Sequence, residues 1–337
     1  MLIRMLRALP IFGWVMLASC SPDTEELGNP YAFNPPEHFP SPVYGLGDQR
    51  PSPMGFKLGK KLFYDRQLSS DGSVSCGSCH AQVHAFADHN TKLSMGVEGR
   101  LGIRNAPPVF NMAWHPAFMW DGGINHLELV PVAPFTHPLE MNLTMAQVVQ
   151  KVNQDSSYRS LAQQAFGTSQ LQDHHILISL AQFMSVIVSA GSRYDMHLST
   201  GKGLNTLEME GLSLFRQHCS HCHSEPLLSD FSYRNNGLDS LSEDEGRALI
   251  SLNPSDRGRF KVPSLRNAAL TYPYMHDGRF MTLEQAIAHY RSPQATPNLD
   301  PSLSAGIPLS DQDIEALVAF IKSTTDETLI SDTRWME

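Results

Sequence analysis

The sequence predicts a mainly α fold in two halves with long connecting loops, and three observations carry that expectation. Apolar residues recur at helical spacing in several stretches, while alternating strand patterns are scarce. Pro and Gly punctuate long connectors, Asn105 to Pro138 and Asn253 to Gly278 among them. Each half also holds one Cys-x-x-Cys-His pentapeptide, Cys76-Gly77-Ser78-Cys79-His80 and Cys219-Ser220-His221-Cys222-His223. That pattern reads as a c-type haem attachment site: two thiols form thioethers to the haem vinyl groups, and the histidine that follows is placed to ligate iron. Two covalently bound haem c groups are therefore expected, one in each of two cytochrome c-like domains.

Taken in order, residues 1–19 have the layout of a lipoprotein signal peptide. A basic start (Arg4, Arg7) precedes an apolar run from Ala8 to Leu17 and small residues at a cleavage site. The run is too short to span a bilayer. Leu17-Ala18-Ser19-Cys20 resembles a bacterial lipobox, which makes Cys20 the lipidated first residue of the mature chain. The alternative is a plain signal peptide cut near Ala18 to Cys20. Either way the chain is exported; the lipid reading puts it on the periplasmic face, held to the membrane by the lipid alone. Ser21 stands where an aspartate is linked with inner-membrane retention, which favours the outer membrane. Four of the five cysteines belong to the haem motifs, so no thiol pair is left for a disulfide.

Residues 20–53 are rich in proline (Pro30, Pro35, Pro36, Pro40, Pro42, Pro51) and read as a tether rather than a packed element. Residues 54–195 are expected to form the first haem domain and 196–337 the second. Helical spacing runs over Met145 to Val152, Leu161 to Phe166 and His175 to Val188. Leu204 to His218 leads into the second haem motif, opened by Asn205 or Thr206 as a cap. Thr282 to Tyr290 and Ser310 to Ser323 follow, the last with a cap and an acidic first turn, Ser310-Asp311-Gln312-Asp313. A net charge of −9 argues against nucleic acid as a partner and is compatible with a basic redox protein.

Beyond the haem motifs, four segments resemble the bacterial dihaem cytochrome c peroxidase family, MauG-type members included. They are Arg104-Asn105-Ala106-Pro107, Phe118-Met119-Trp120-Asp121-Gly122, His137-Pro138-Leu139-Glu140-Met141, and Lys261 to Asn267 leading to Tyr274-Met275-His276-Asp277-Gly278. The resemblance covers roughly residues 50 to 325. It implies that His80 is the proximal ligand of a peroxidatic haem. In the peroxidase branch a loop histidine caps the other face of that haem in the resting oxidised state. Here the matching position is Val97, which cannot bind iron; Met95, His84 and His89 are the nearby alternatives. An open distal position, able to take peroxide without prior reduction, is the expectation.

The family's catalytic glutamate matches Glu140, twenty residues after Trp120, with a helix-capping or solvated glutamate as the plain alternative. A glutamine frequent in the family upstream of it corresponds to Val130, so the distal pocket is less polar than usual. Trp120 matches the tryptophan between the two haems, oxidisable and able to relay electron holes. Asn105, with the backbone carbonyls of Thr271 and Pro273, matches a calcium site whose oxygen ligands suit that hard ion. For the second haem the resemblance implies His223 as proximal ligand and Tyr290 opposite it, with Met275, His276 and His289 as alternatives. A thioether raises the haem potential and a phenolate stabilises oxidised iron, so this residue separates the branches.

The leading expectation is an oxidoreductase of the cytochrome c peroxidase type. It would reduce hydrogen peroxide to water with electrons from a small cytochrome c or cupredoxin. The alternative keeps the peroxide chemistry and oxidises aromatic residues of a partner protein, as MauG-type members do; Val97 and Tyr290 favour it. A further alternative is a non-catalytic dihaem electron carrier, which would need a distal ligand near Val97.

Overall fold

Two helix crossings, each closed on a glycine, set the positions of the two haem motifs. A computed structural model describes residues 31–44, 50–88 and 91–337; the signal segment, Cys20 and His89 lie outside the described residues. In the first half the helices are α1 (Pro53–Tyr64), α2 (Cys76–Cys79), α3 (Val132–Thr136), α4 (Met145–Gln154), α5 (Ser156–Phe166) and α6 (Asp173–Ser185). In the second they are α7 (Arg193–Thr200), α8 (Thr206–His218), α9 (Ala248–Ser251), α10 (Leu283–Ala288), α11 (Asp311–Ser323) and α12 (Glu327–Ser331). A two-residue antiparallel ribbon, β1 (Tyr233–Arg234) with β2 (Phe260–Lys261), pairs Tyr233 with Lys261. The mainly α expectation holds.

The crossings are α1 on α6 and α8 on α11. A Cβ at Gly59 would lie 2.0 Å from the Ser179 carbonyl oxygen, and one at Gly211 would lie 1.9 Å from that of Ala316. Only glycine lets these backbones approach so closely. Local chemistry fixes where each helix begins. Ser52 caps α1 ahead of Pro53, Asn205 caps α8 with Glu208 reaching back, and Ser310 caps α11 with Asp313. One apolar core gathers around α1, α4, α5 and α6 (Phe56, Phe63, Val148, Phe183), and another around α8 and α11 (Phe215, Leu317, Phe320).

Three expectations shift. The run read as His175 to Val188 ends at Ser185, because Asn111 takes over the backbone beyond it: its N–H donates to Ile187 and its carboxamide oxygen accepts from Ser189. The segment read as a tether is packed where it is described. Phe39 is buried against Trp114, whose indole donates to the Pro40 carbonyl at 2.8 Å, and His38 reaches Asp195 at 2.8 Å. Its aromatic residues supply the burial that its prolines conceal in a composition count. The division expected between residues 195 and 196 falls inside α7. Residues 31–337 form one compact unit.

A short loop motif occurs twice. Phe118 N–H donates to the Ile124 carbonyl at 2.6 Å, and Tyr274 N–H to Phe280 at 2.7 Å. Met119 and Met275 both take positive φ, 67° and 75°, as do Gly122 and Gly278. The two stretches thus share a fold as well as the pattern aromatic-Met-x-Asp-Gly.

Candidate functional sites

At the first motif, the short helix α2 carries Cys76 and Cys79 and ends at His80. His80 Nδ1 lies 3.1 Å from the Phe86 carbonyl, which leaves Nε2 as the free ring nitrogen. The carbonyl is aimed there by two consecutive left-handed residues, Ala85 (φ 51°) and Phe86 (φ 58°). The second motif repeats the device. His223 Nδ1 lies 3.2 Å from the carbonyl of Leu228, another left-handed residue (φ 54°), and 3.1 Å from that of Pro263. A backbone acceptor on one ring nitrogen fixes the tautomer that offers the other to a metal. Burial lowers both imidazoles, His223 to about 4, so both rings stay neutral. The motif thiols are pushed up by burial, Cys76, Cys79 and Cys219 to about 12.

The residues fit the groups the motifs imply. Beside Cys219, Cys222 and His223 opens an apolar cavity walled by Leu265, Leu283, Leu317 and Ile321. Tyr290 and Met275 both line it. The Asn236 amide sits between them, 3.4 Å from the tyrosine hydroxyl and 3.5 Å from the methionine sulfur. His289 does not line this cavity, and its Nε2 is engaged at 2.9 Å with the Asn236 carbonyl. His276 lines it but is stacked on Phe260, rings 3.7 Å apart. Asn236 carries no motif, so the sequence offered no sign of its position. Among the described residues no cluster of three His, Cys, Asp or Glu side chains forms a separate metal site.

Glu140 is brought to the first motif by the hairpin that holds Val97. The Val97 N–H donates to the Glu140 carbonyl at 2.8 Å, Val97 is fully buried, and Gly96 lies flat on the Leu139–Glu140 backbone. The carboxylate is close enough to raise both Cys76 and Cys79 electrostatically, and burial raises its own pKa against a small lowering effect of His137. Among the described residues no hydrogen bond engages it. A half-buried carboxylate with a raised pKa and free oxygens can take up and release a proton. Of the other residues near this face, Met95 is 45% exposed, and its carbonyl is 3.8 Å from the Cys79 sulfur.

Gly96 supplies a direct test of that seating. An added Cβ would stand 2.1 Å from the Leu139 carbonyl oxygen and 2.5 Å from the Glu140 Cα. Gly96→Ala is expected to cost about 1–3 kcal/mol through overpacking and to lower kcat by displacing Glu140. Thermal unfolding and steady-state kinetics check the two effects.

Trp120 lines the cavity beside Cys219, Cys222 and His223, and its indole N–H donates to the Asn105 carbonyl at 2.8 Å. The residues on either side are matched: Arg104 binds Asp121 at 2.6 Å and Asp244 at 2.7 Å. The sequence neighbours 104–105 therefore clamp 120–121. Asn105 N–H donates to the His276 carbonyl at 2.7 Å. The Asn105 amide group itself reaches Lys92 O at 3.5 Å.

A helical chain with two such pentapeptides, each histidine fixed through Nδ1 on a strained carbonyl, is a double c-type cytochrome. The model of the di-haem cytochrome c peroxidase family matches residues 53–202, and that of cytochrome c matches 209–325. The cytochrome c551 peroxidase of Nitrosomonas europaea is 34% identical over 277 residues, covering 80% of both chains. The methylamine utilization protein MauG of Methylorubrum extorquens is also 34% identical, over 82% of this chain and 79% of its own. A crystal structure of a MauG-like protein associated with microbial copper homeostasis superposes with a TM-score of 0.82 at 31% identity, over 90% of this chain and 97% of that one. The chain belongs to the dihaem cytochrome c peroxidase family; it is an oxidoreductase that carries two haem c groups.

Proposed function

We propose that the protein reduces hydrogen peroxide to water at the haem held by Cys76, Cys79 and His80, taking two electrons and two protons per peroxide. The observation that carries this reading is the Glu140 carboxylate, raised by burial, with no hydrogen bond to it among the described residues, and seated beside a fully buried Val97 that offers no ligand. When bound, the haem supplies the metal centre that binds peroxide and is oxidised by it. Glu140 takes the proton from one peroxide oxygen and returns it to the other, which makes a water molecule the leaving group. Val97, fully buried beside Glu140, has no group that could bind iron, so it would leave room for peroxide. Trp120, at the cavity beside Cys219, Cys222 and His223, passes electrons between the two centres. Cys219, Cys222 and His223 would hold the second haem, and Tyr290, on the wall of the same cavity, would be available to its iron as a further ligand. A small cytochrome c or cupredoxin is the donor.

Calcium bound by Asn105 and the carbonyls of Thr271 and Pro273 would tie the two haem regions together, which the hydrogen bond from Asn105 to His276 supports. Lipidation at Cys20 would hold the enzyme on the periplasmic side of the outer membrane; no described helix is long and apolar enough to cross one. A second reading, oxidation of aromatic residues in a partner protein, is favoured by Tyr290, because a phenolate stabilises oxidised iron. A mere electron carrier would need a ligand where Val97 stands.

The test is oxidation of a reduced small c-type cytochrome by peroxide, started from diferric protein with no prior reduction. Rapid turnover is expected. Absence of turnover, together with a long-lived oxidised spectrum after peroxide, would replace the small donor by a protein substrate. The second ligand is tested separately: Tyr290→Phe should change the spectrum of one haem, and Met275→Leu should leave both unchanged.

A further inference from the structure

We propose that Tyr44 is a redox-active tyrosine that stores or exports one oxidising equivalent, with Glu128 and His126 as its built-in proton path. The inference rests on the peroxidase reading for its oxidant. The Tyr44 hydroxyl donates to Glu128, and the other oxygen of that carboxylate lies 3.4 Å from His126 Nδ1. The three groups form a line from the interior to water: Tyr44 is half-buried, the Glu128 side chain is 24% exposed and that of His126 is 57% exposed. None of the three serves the chemistry assigned above.

Losing an electron makes a phenol a strong acid, so a tyrosine is oxidised readily only where a base stands on its hydroxyl. In the step proposed, the peroxide-oxidised protein takes one electron from the Tyr44 ring. The O–H bond breaks, the proton passes to the Glu128 carboxylate, and a neutral phenoxyl radical remains. His126 then accepts the proton and hands it to water. Reduction by an external one-electron donor, with the proton returning along the same line, restores the phenol.

Position favours Tyr44 over the other tyrosines that face a carboxylate. Its ring meets Phe118 edge-on, centroids 6.2 Å apart, and Phe118 belongs to the loop that carries Trp120. Its own backbone is tied to the same region, with Tyr44 N–H donating to Ala113 at 2.9 Å. Tyr194 donates to Glu225 at 2.8 Å, but Arg216 holds that carboxylate through two hydrogen bonds and weakens it as a base. Tyr158 donates to Asp65 at 2.6 Å, a carboxylate already occupied with capping the Gln67 N–H. Among the described residues Glu128 is neither held by an arginine nor used as a helix cap, and His126, 3.4 Å from it and 57% exposed, can carry the proton onward.

The experiment is freeze-quench electron paramagnetic resonance of the haem-loaded protein after hydrogen peroxide, with deuterated tyrosine to identify the radical. A tyrosyl signal narrowed by deuteration is expected. It should fall by at least about tenfold in Tyr44→Phe and in Glu128→Gln, and persist in Tyr158→Phe. A peroxide-induced change in the haem spectrum with no signal dependent on Tyr44 overturns the inference. If peroxide leaves the haem spectrum unchanged, the peroxidase reading fails instead. Oxidation by photogenerated ruthenium(III) tris-bipyridine then decides the Tyr44–Glu128 pair without peroxide: a signal lost in Tyr44→Phe supports it, and one unaffected by that change removes it.

Discussion

Glu140→Gln is expected to lower kcat for peroxide reduction by about 10²–10⁴-fold, because the amide keeps the shape and hydrogen-bonding reach of the side chain and loses the ability to accept a proton. Peroxide affinity and the resting haem spectra should change little, so the loss falls on kcat rather than on folding. The pH profile gives a second readout. Burial raises the Glu140 carboxyl above its ordinary value, and the base form is the working form. The wild-type rate should therefore fall as pH drops through that raised pKa, on an acid limb lying above the usual carboxylate range near ~4.3. The limb should vanish from what activity remains in the variant. An unchanged limb in Glu140→Gln would assign it to another group and remove Glu140 from the proton transfer.

Asp195→Asn is expected to have the largest effect on stability, about 3–5 kcal/mol, because it strands a buried guanidinium. Arg266 is wholly buried and binds Asp195, 4% exposed, through both terminal nitrogens at 2.9 and 2.7 Å. His38 and the Ser192 hydroxyl reach the same carboxylate, at 2.8 and 2.6 Å. Phe39 lies on one face of the guanidinium, 4.6 Å away. Burial by itself would raise the Asp195 carboxyl, but the Arg266 and Ser192 interactions outweigh it and hold the pKa below the ordinary value. A depressed folded-state pKa fixes the sign of the linkage. The contribution is fully present above the unfolded value near ~3.9 and is lost as pH falls through the folded one. Urea unfolding should show wild type losing this increment below about pH 4 and the variant lacking it at every pH. Pairing the change with Arg266→Met should recover part of the loss, since removing both charges avoids the stranded one.

The site was legible in the sequence wherever chemistry forces residues into a fixed local spacing. Both haem motifs, and the segments that hold the candidates Glu140 and Trp120, are short patterns that survive without knowledge of the fold. The caps at Asn205 and Ser310 were legible for the same reason: a cap acts on an N–H only two or three residues away. What failed was anything set by distant partners. The end of α6 depends on Asn111, 78 residues from Ser189 in the chain. The packing of residues 31–44 depends on Trp114 and Asp195, which a proline count does not reveal.

The sequence by itself determined a helical chain with two covalent haem sites and placed it in a family. It did so because two thioether bonds need two closely spaced cysteines, and the iron needs a histidine beside them. The tertiary structure alone decided how those sites are tuned. It turned each proximal histidine by a left-handed carbonyl, at Phe86 and at Leu228. It seated Glu140 under the Val97 amide, set Asn236 between Met275 and Tyr290, and gave Tyr44 a carboxylate and a histidine in line. Each of these is a contact between segments far apart in the chain. Hydrogen-bond geometry and burial, which no local pattern encodes, are what bring them together.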